Sequence, residues 1–178
     1  MKKNVIVGQS GGPTAVINAS LYGVVYEALN REDTLGTVYG MINGIEGFLC
    51  DQVMDMKPLE LSGELELIKT TPGSYLGSCR YKLPEDLEDE VYPRLFEKFA
   101  AYNIGYFFYI GGNDSMDTIK KLSDYAIVTG SRPVLSAVRK PLTTISPARK
   151  GHSALIRRSG LPAGHWTGCI PLRNRITG

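Results

Sequence analysis

A polar, glycine-rich segment at residues 111–115, Gly-Gly-Asn-Asp-Ser, combines residue types that bind anions. The aromatic run at residues 106–110 predicts a buried strand before it, and Met116, Ile119 and Leu122 recur after it with helical spacing. A strand, a glycine turn and a helix in this order direct backbone N–H groups and the positive end of the helix to one place, where a phosphate can bind. An ordinary strand-to-helix turn, in which the polar side chains only cap the helix, fits the segment equally well.

A second unit of the same kind lies near the start of the chain. Residues 4–7 predict a short strand, residues 8–14 a glycine-rich turn, and residues 15–29 a helix. The turn lacks the Gly-Lys-Ser/Thr of a P-loop, so taken alone it favours a structural role. Because the carboxyl ends of parallel strands meet at one edge of a sheet, we expect both glycine turns to form walls of one phosphate pocket.

Residues 70–80 form a hydroxyl-rich loop that ends in Arg80. The planar guanidinium of arginine presents a fork of N–H donors that suits phosphate oxygens. Taken alone, however, this segment is better explained as a surface loop with a solvated arginine.

The remaining segments predict the elements that position these residues. Residues 37–40 predict a strand, residues 41–49 a glycine-punctuated loop and residues 59–68 a connector. A helix is expected over residues 91–102, and the acidic run at 85–90 complements its dipole without any catalytic role. The alternation predicts a three-layer α/β fold with a mostly parallel, Rossmann-like sheet.

Composition limits the class of protein. The 178 residues are 43% hydrophobic, enough for a core, and no apolar run is long enough to cross a membrane, so we expect no membrane partner. The three cysteines are scattered and form no C-x-x-C pair, which argues against zinc and favours the cytoplasm.

Charge is distributed unevenly along the chain. Residues 1–124 hold 11 basic and 18 acidic side chains, a net charge of −7, whereas residues 125–178 hold 9 basic and no acidic ones. A basic nucleic-acid-binding tail is the obvious interpretation. The basic residues are spaced rather than clustered and Trp166 has no aromatic neighbour, so we expect no nucleic-acid partner.

Three motifs in register make the chain resemble the phosphofructokinase family over roughly residues 3–126. Their order, spacing and identity are specific, although each motif alone is weak. The motifs are residues 10–13 (Ser-Gly-Gly-Pro) with residues 17–19 (Ile-Asn-Ala), residues 73–80 (Gly-Ser-Tyr-Leu-Gly-Ser-Cys-Arg) and residues 110–115 (Ile-Gly-Gly-Asn-Asp-Ser).

The resemblance implies transfer of a phosphoryl group from diphosphate or ATP to the 1-hydroxyl of fructose 6-phosphate, a glycolytic reaction. Magnesium bridges the donor phosphates, and positioning and charge neutralisation carry most of the catalysis. Family members usually form homo-oligomers, but we do not predict a homo-oligomer for this chain. By resemblance the donor-phosphate residues are Gly11, Gly12, Arg80, Gly112, Asp114 and Ser115, and the metal residue is Asn113.

Two departures from the ATP-dependent pattern Gly-Gly-Asp-Gly-Ser favour diphosphate as the donor. Asn113 stands where that pattern has the magnesium-binding Asp, and a neutral oxygen is a poorer partner for a divalent cation. Asp114 replaces a glycine, and the resemblance implies that an acidic residue at this place marks the diphosphate-dependent enzymes, because its bulk and charge would obstruct a nucleotide. Pro13, where many ATP enzymes have Asp, points the same way.

The family's catalytic motif, Pro-Lys-Thr-Ile-Asp-Asn-Asp, is missing, and no carboxylate follows Asp124. No catalytic residue is therefore assigned, and we expect this chain to bind donor without turnover. Codons that can encode residues 139–147 also allow Lys-Thr-Ile-Asp-Asn-Asp-Leu-Ala in a shifted frame, which suggests a frame change near residues 126–128.

Two parts are expected on this basis. Residues 1–126 form the donor-binding α/β domain, and residues 127–178 form an irregular, poorly packed basic tail that is not part of the family. The alternatives left open are a genuine basic extension with its own role, a non-catalytic module that binds diphosphate or nucleotide, and a nucleic-acid binder driven by the tail.

Overall fold

Strands and helices alternate along the chain in the computed structural model, which describes residues 2–14, 16–131 and 133–139. None of the described helices is long and apolar enough to cross a bilayer. The elements in chain order are β1 (Lys3–Gln9), α1 (Ile17–Leu29), β2 (Leu35–Met41), α2 (Gly44–Leu49), β3 (Val53–Asp55), α3 (Lys57–Leu61), α4 (Glu64–Thr70), α5 (Val91–Ala101), β4 (Ile104–Gly111), α6 (Asn113–Thr129) and β5 (Val134–Arg139).

The described strands form one sheet in the order β3-β2-β1-β4-β5. β1 pairs in parallel with β2 and β4, and β4 pairs in parallel with β5, while the short β3 runs antiparallel to β2. Helices pack on both faces, so the expected three-layer, mostly parallel α/β fold is confirmed. The strand order reverses between β1 and β4, and in sheets of this kind ligands bind at the carboxyl ends of the two strands beside the reversal.

The core lies on both sides of the central strand. Val5, Ile6 and Val7 are all 0% exposed, as expected for a parallel strand covered on both faces. Successive side chains point to opposite faces, so Val5 and Val7 join the core under α1, α3 and α4, whereas Ile6 joins the core under α2, α5 and α6. The sheet is thereby fixed from two sides, and the loops at its carboxyl edge start from a rigid base.

Three short helices lie where the sequence predicted a loop and a connector. α2 has six residues, α3 five and α4 seven, too few to be stable by local propensity. Each instead buries side chains against the sheet or α1, among them Phe48, Leu59 and Leu65. Tertiary packing therefore forms these helices, which a reading of local pattern does not detect.

Residues beyond 126 differ most from expectation, because part of the predicted irregular tail is regular. α6 continues to Thr129 and ends at Gly130, whose φ of 70° is left-handed. β5 then pairs with β4 from Tyr106 opposite Val134 to Gly111 opposite Arg139. Alternating side chains of β5 pack on the two cores, which explains its regularity. The rest of the expected tail, residues 140–178, lies outside the described residues.

Candidate functional site

A cavity of about 310 Å³ opens at the carboxyl ends of β1 and β4, the two strands between which the sheet order reverses. Three separated segments of the chain meet there, one after β1, one after β4 and one from the loop that precedes α5. All the residues predicted to bind donor phosphate line it, and Asn113 does not. The lining consists of Ser10, Gly11, Gly12, Cys79, Arg80, Tyr81, Gly112, Asp114 and Ser115.

The glycine turn after β1 is tied directly to the segment that carries Arg80. Ser10 forms a parallel bridge with Cys79, and the Gly11 amide donates to the Cys79 carbonyl over a long 3.4 Å. Ser78 Oγ donates to the Gly11 carbonyl. Gly11 has a φ of 79°, a left-handed conformation that favours glycine and lets the chain turn sharply away from the strand. These contacts bring the guanidinium-bearing segment alongside the turn.

The second wall is the first turn of α6. Gly112 is the extended N-cap residue, and no side chain caps the helix, so Asn113, Asp114 and Ser115 are its first helical residues rather than caps. The first N–H groups of any α-helix lack partners within the helix, and the peptide dipoles place partial positive charge at that end. The 17-residue helix α6 thus starts at the cavity with the polarity that binds an anion.

Ser115 carries an unsatisfied hydroxyl at this wall. Ser115 is 1% exposed, and its Oγ atom has no hydrogen-bond partner among the described residues. Leaving a buried donor unpaired costs roughly 1–3 kcal/mol, so such a group is ready for a ligand oxygen. The hydroxyl lies against Gly111, where an added Cβ would come within 1.9 Å of it. Gly111 is therefore the residue that leaves room for this serine.

Charged side chains surround the cavity mouth. Arg80 lines it, and Lys82 Nζ lies 3.8 Å from Asp114 Oδ1 in an exposed ion pair. Arg139 at the end of β5 donates from Nη2 to Asn113 Oδ1 over 3.1 Å. Arg80 thus lines the cavity, and two further cations contact the first residues of α6, an arrangement that favours an anionic ligand. Arg139 was missed from the sequence because it was assigned to the tail, although its position at the end of an apolar stretch was a usable signal.

The predicted metal position, Asn113, is not part of the cavity lining. Its amide oxygen already accepts a hydrogen bond from Arg139, so a cation there would have to displace the guanidinium. The described residues contain no group of three His, Cys, Asp or Glu side chains that could hold a metal. Magnesium, however, often binds through one or two protein oxygens together with substrate phosphates. A cation that arrives with its phosphate ligand would therefore reach the Asn113 oxygen only by displacing Arg139.

Behind the cavity, Tyr109 fills the space under the Cys79 segment. It is 1% exposed, and its hydroxyl lies 3.7 Å from Cys79 Sγ. Burial and the neighbouring thiol raise the pKa of this phenol far above its ordinary value, so it stays neutral. Tyr109 thus supports the wall as an uncharged side chain and adds no negative charge to the site.

Comparison with known proteins gives a consistent result. A phosphofructokinase family model matches residues 4–145, so the match continues past residue 126, where the resemblance noted in the sequence ended. The pyrophosphate–fructose 6-phosphate 1-phosphotransferase of Methylococcus capsulatus is 44% identical over 142 residues, which cover 79% of this chain and 33% of the relative. An ATP-dependent 6-phosphofructokinase of Actinobacillus pleuropneumoniae is 32% identical over 122 residues, 68% of this chain and 35% of the relative.

Solved structures agree with this assignment. The crystal structure of a pyrophosphate-dependent phosphofructokinase from Nitrosospira multiformis superposes with a TM-score of 0.68 at 41% identity, covering 78% of this chain and 33% of that one. The chain spans about a third of the length of the curated relatives it matches. Its described part therefore corresponds to one portion of those proteins.

Proposed function

Because the chain belongs to the phosphofructokinase family, we propose that its cavity at the ends of β1 and β4 binds the phosphoryl donor of a phosphofructokinase reaction, with diphosphate as the donor. One observation carries this proposal. The residues selected from three separate motifs line a single cavity, which combines an arginine, a helix amino terminus and an unpaired serine hydroxyl. Each of these groups recognises phosphate oxygens, and none of them needs a nucleoside.

Diphosphate fits the cavity better than ATP for two reasons. The cavity has a volume of about 310 Å³, which is at the lower end of the range for ligand pockets, roughly 300 to 1,000 Å³. This volume suits a small anion. The Asp114 carboxylate adds bulk and negative charge to the cavity lining, which opposes a larger anion such as ATP. The higher identity to the pyrophosphate-dependent relative than to the ATP-dependent one supports the same choice.

The acceptor of the family reaction is fructose 6-phosphate, and magnesium would neutralise the donor while Arg80 and the α6 amides orient it. Magnesium would be held mainly by the phosphate oxygens, and the Asn113 amide oxygen would join them on displacing Arg139. The base that accepts the proton of the sugar hydroxyl has no candidate after Asp124, because no carboxylate follows it. We therefore propose that this chain binds the phosphoryl donor but does not transfer the phosphoryl group by itself. We propose the cytoplasm as its location.

Calorimetric titration of the full chain with magnesium diphosphate, and separately with magnesium ATP, tests donor binding. We expect diphosphate to bind more tightly than ATP. Replacing Arg80→Gln should weaken diphosphate binding by about tenfold or more, because a charged hydrogen bond contributes roughly 1.5–3 kcal/mol. Arg31→Gln, at an exposed arginine that follows α1 and pairs with Glu27, is the matched control and should bind diphosphate normally. Equal affinities for Arg80→Gln and the unchanged chain would rule out the proposed site.

A coupled assay for fructose 1,6-bisphosphate on the same protein tests the second part of the proposal. The expected result is no product with either donor, and measurable turnover would show that a base is present after all. The frame-change hypothesis needs a separate test, because β5 and the family match both extend past its proposed position. DNA sequencing across codons 126–147 decides it, and an uninterrupted gene without a shift would remove it.

A further inference from the structure

Two buried amide side chains flank the glycine turn. Gln9 is the last residue of β1 and is 0% exposed, and Asn18, near the start of α1, is 1% exposed. Gln9 Nε2 donates to Asn18 Oδ1 over 3.0 Å and to the Ile17 carbonyl over 3.3 Å. The two ends of the turn are therefore linked by side chains that have no contact with the cavity itself.

The same two amides hold the irregular loop that leads to Arg80. Gln9 Oε1 accepts from Ser74 Oγ at 3.0 Å and from the Leu76 amide at 2.9 Å. Asn18 Oδ1 accepts from the Tyr75 amide at 2.9 Å, and its Nδ2 donates to the Thr71 carbonyl at 2.8 Å. Four hydrogen bonds thus anchor residues 71–76 to the ends of the glycine turn.

The pattern of donors and acceptors admits one orientation of each amide. Gln9 Oε1 accepts from the Leu76 N–H while its Nε2 faces two carbonyl-type oxygens, so turning the amide over would set oxygen against oxygen and N–H against N–H. Buried polar networks in which every member is paired fix a unique local arrangement. The network therefore defines where the loop lies, rather than merely filling space.

Arg80 follows this loop by a short stretch that contacts the turn through the Ser78 hydroxyl and one long backbone hydrogen bond. The Gly11 amide to Cys79 carbonyl distance is 3.4 Å, near the limit of a hydrogen bond. We infer that Gln9 and Asn18 are positioning residues that set the place of Arg80 opposite the glycine turn, an inference that rests on the proposed donor site. A small loss of order in the network would misplace the guanidinium relative to the phosphate.

Gln9→Glu tests the inference, because it keeps the shape and both acceptor contacts of Gln9 but removes its N–H donors. Ionised glutamate would face the Asn18 and Ile17 oxygens, so burial and these oxygens should raise its pKa. When protonated it regains one donor. We expect diphosphate affinity to fall about tenfold at neutral pH, and the ratio to the unchanged chain to approach one toward about pH 5.

Gln52→Glu makes the same chemical change at a half-buried position before β3 and serves as the control, with no pH-dependent loss of affinity expected. A loss of affinity that is the same at both pH values would show that the missing N–H donor is not its cause, and that result would overturn the inference. Equal affinity of Gln9→Glu and the unchanged chain at neutral pH would overturn it too. If Gln9→Glu does not fold, Ser74→Ala removes the hydroxyl that contacts both Gln9 Oε1 and the Gly77 carbonyl and should give a smaller loss.

Hydrogen exchange provides a readout that does not depend on donor binding. The Tyr75 and Leu76 amides bond to the two side chains, so their protection should fall in Gln9→Glu at neutral pH and return at the lower pH. If the unchanged chain does not bind diphosphate, the proposed function fails and the exchange result alone decides the positioning role. Unchanged protection of both amides in the variant would contradict that role.

Discussion

At the scale of single residues, the site combines groups that are satisfied with one that is not. The nitrogen and oxygen of the Gln9 and Asn18 amides each have a hydrogen-bond partner, whereas the Ser115 hydroxyl has none among the described residues. A protein that keeps a buried hydroxyl unpaired gives up stability at that position, and a ligand oxygen restores the loss. Stability and binding should therefore respond in opposite directions at this serine.

Ser115→Ala removes the unpaired hydroxyl and little else. We expect the melting temperature to stay the same or rise slightly, because no hydrogen bond is lost from the free protein. Diphosphate affinity should fall by roughly three- to tenfold, the value of one neutral hydrogen bond. Thermal unfolding and calorimetric titration measure the two effects. Ser123→Ala, on the same helix, should change neither one, and a clear fall in melting temperature for Ser115→Ala would mean that the hydroxyl is paired in solution.

Tyr109 predicts the alkaline limit of stability around the site. Burial raises its folded pKa above the ordinary value of 10.0, so the folded protein retains a proton that the unfolded chain releases. The associated stability is fully present below that ordinary value and is lost as the pH rises toward the folded pKa. Tyr109→Phe should make the decline in melting temperature at alkaline pH shallower. The same exchange at the exposed Tyr26 should leave the decline unchanged, and an equally steep curve in both variants would contradict the assignment.

At the scale of elements, Lys121 couples α6 to the loop after Arg80. Lys121 is 8% exposed, and its Nζ contacts the Leu83 carbonyl at 3.0 Å, Glu85 at 2.6 Å and Asp117 at 3.0 Å. The hydrogen bonds to Glu85 and then Asp117 raise the pKa of the ammonium, which stays charged. The first turn of α6 and the Arg80 segment are two walls of one cavity, and this lysine joins the elements behind them.

Lys121→Gln should lower the melting temperature, because the Leu83 carbonyl and the two carboxylates lose their shared cation. The difference from the unchanged chain should be constant up to the ordinary lysine pKa and shrink as the pH rises through the raised folded value. Thermal unfolding at several pH values measures it. Lys120→Gln, on the adjacent exposed lysine, should have little effect, and equal losses in the two variants would show that the contacts of Lys121 are not special.

The sequence predicted long, strongly patterned elements correctly and missed those formed by packing. β1, β4, α1, α5 and α6 each have an apolar run or a helical spacing of their own. α2, α3 and α4 are short and owe their form to contacts with the sheet and α1, which no local window contains. β5 was missed because its basic surroundings suggested a tail. Arg139 at the end of β5, and its hydrogen bond to Asn113, were missed for the same reason. The residues that line the cavity could be predicted from the sequence because glycine turns and an arginine are local signals.

At the scale of the whole molecule, the order of the strands determines where the cavity lies in the described domain. β1 lies at the centre of the sheet, with a core on each face, and the cavity opens beside its end. The binding groups are thus attached to the most buried part of the fold. Ligand binding at such a place should be linked to global unfolding rather than to a local change alone.

Magnesium diphosphate should therefore raise the melting temperature of the full chain. A ligand present at 100 times its dissociation constant adds about 2.7 kcal/mol to the free energy of unfolding. Differential scanning fluorimetry over a range of ligand concentrations measures the shift. Magnesium with inorganic phosphate at equal ionic strength is the control and should give a smaller shift. Equal shifts with the two anions would indicate a general anion effect in place of a diphosphate site.

The close contact of Gly111 with Ser115 has an evolutionary consequence. A methyl group at position 111 would lie 1.9 Å from the serine hydroxyl and 2.9 Å from the Ser10 carbonyl oxygen, so the two positions share one small volume. Descendants of this sequence can enlarge one of them only while shrinking the other, and the rigid carbonyl limits even that exchange. Glycine should consequently be retained at position 111 for as long as selection keeps a hydroxyl at position 115.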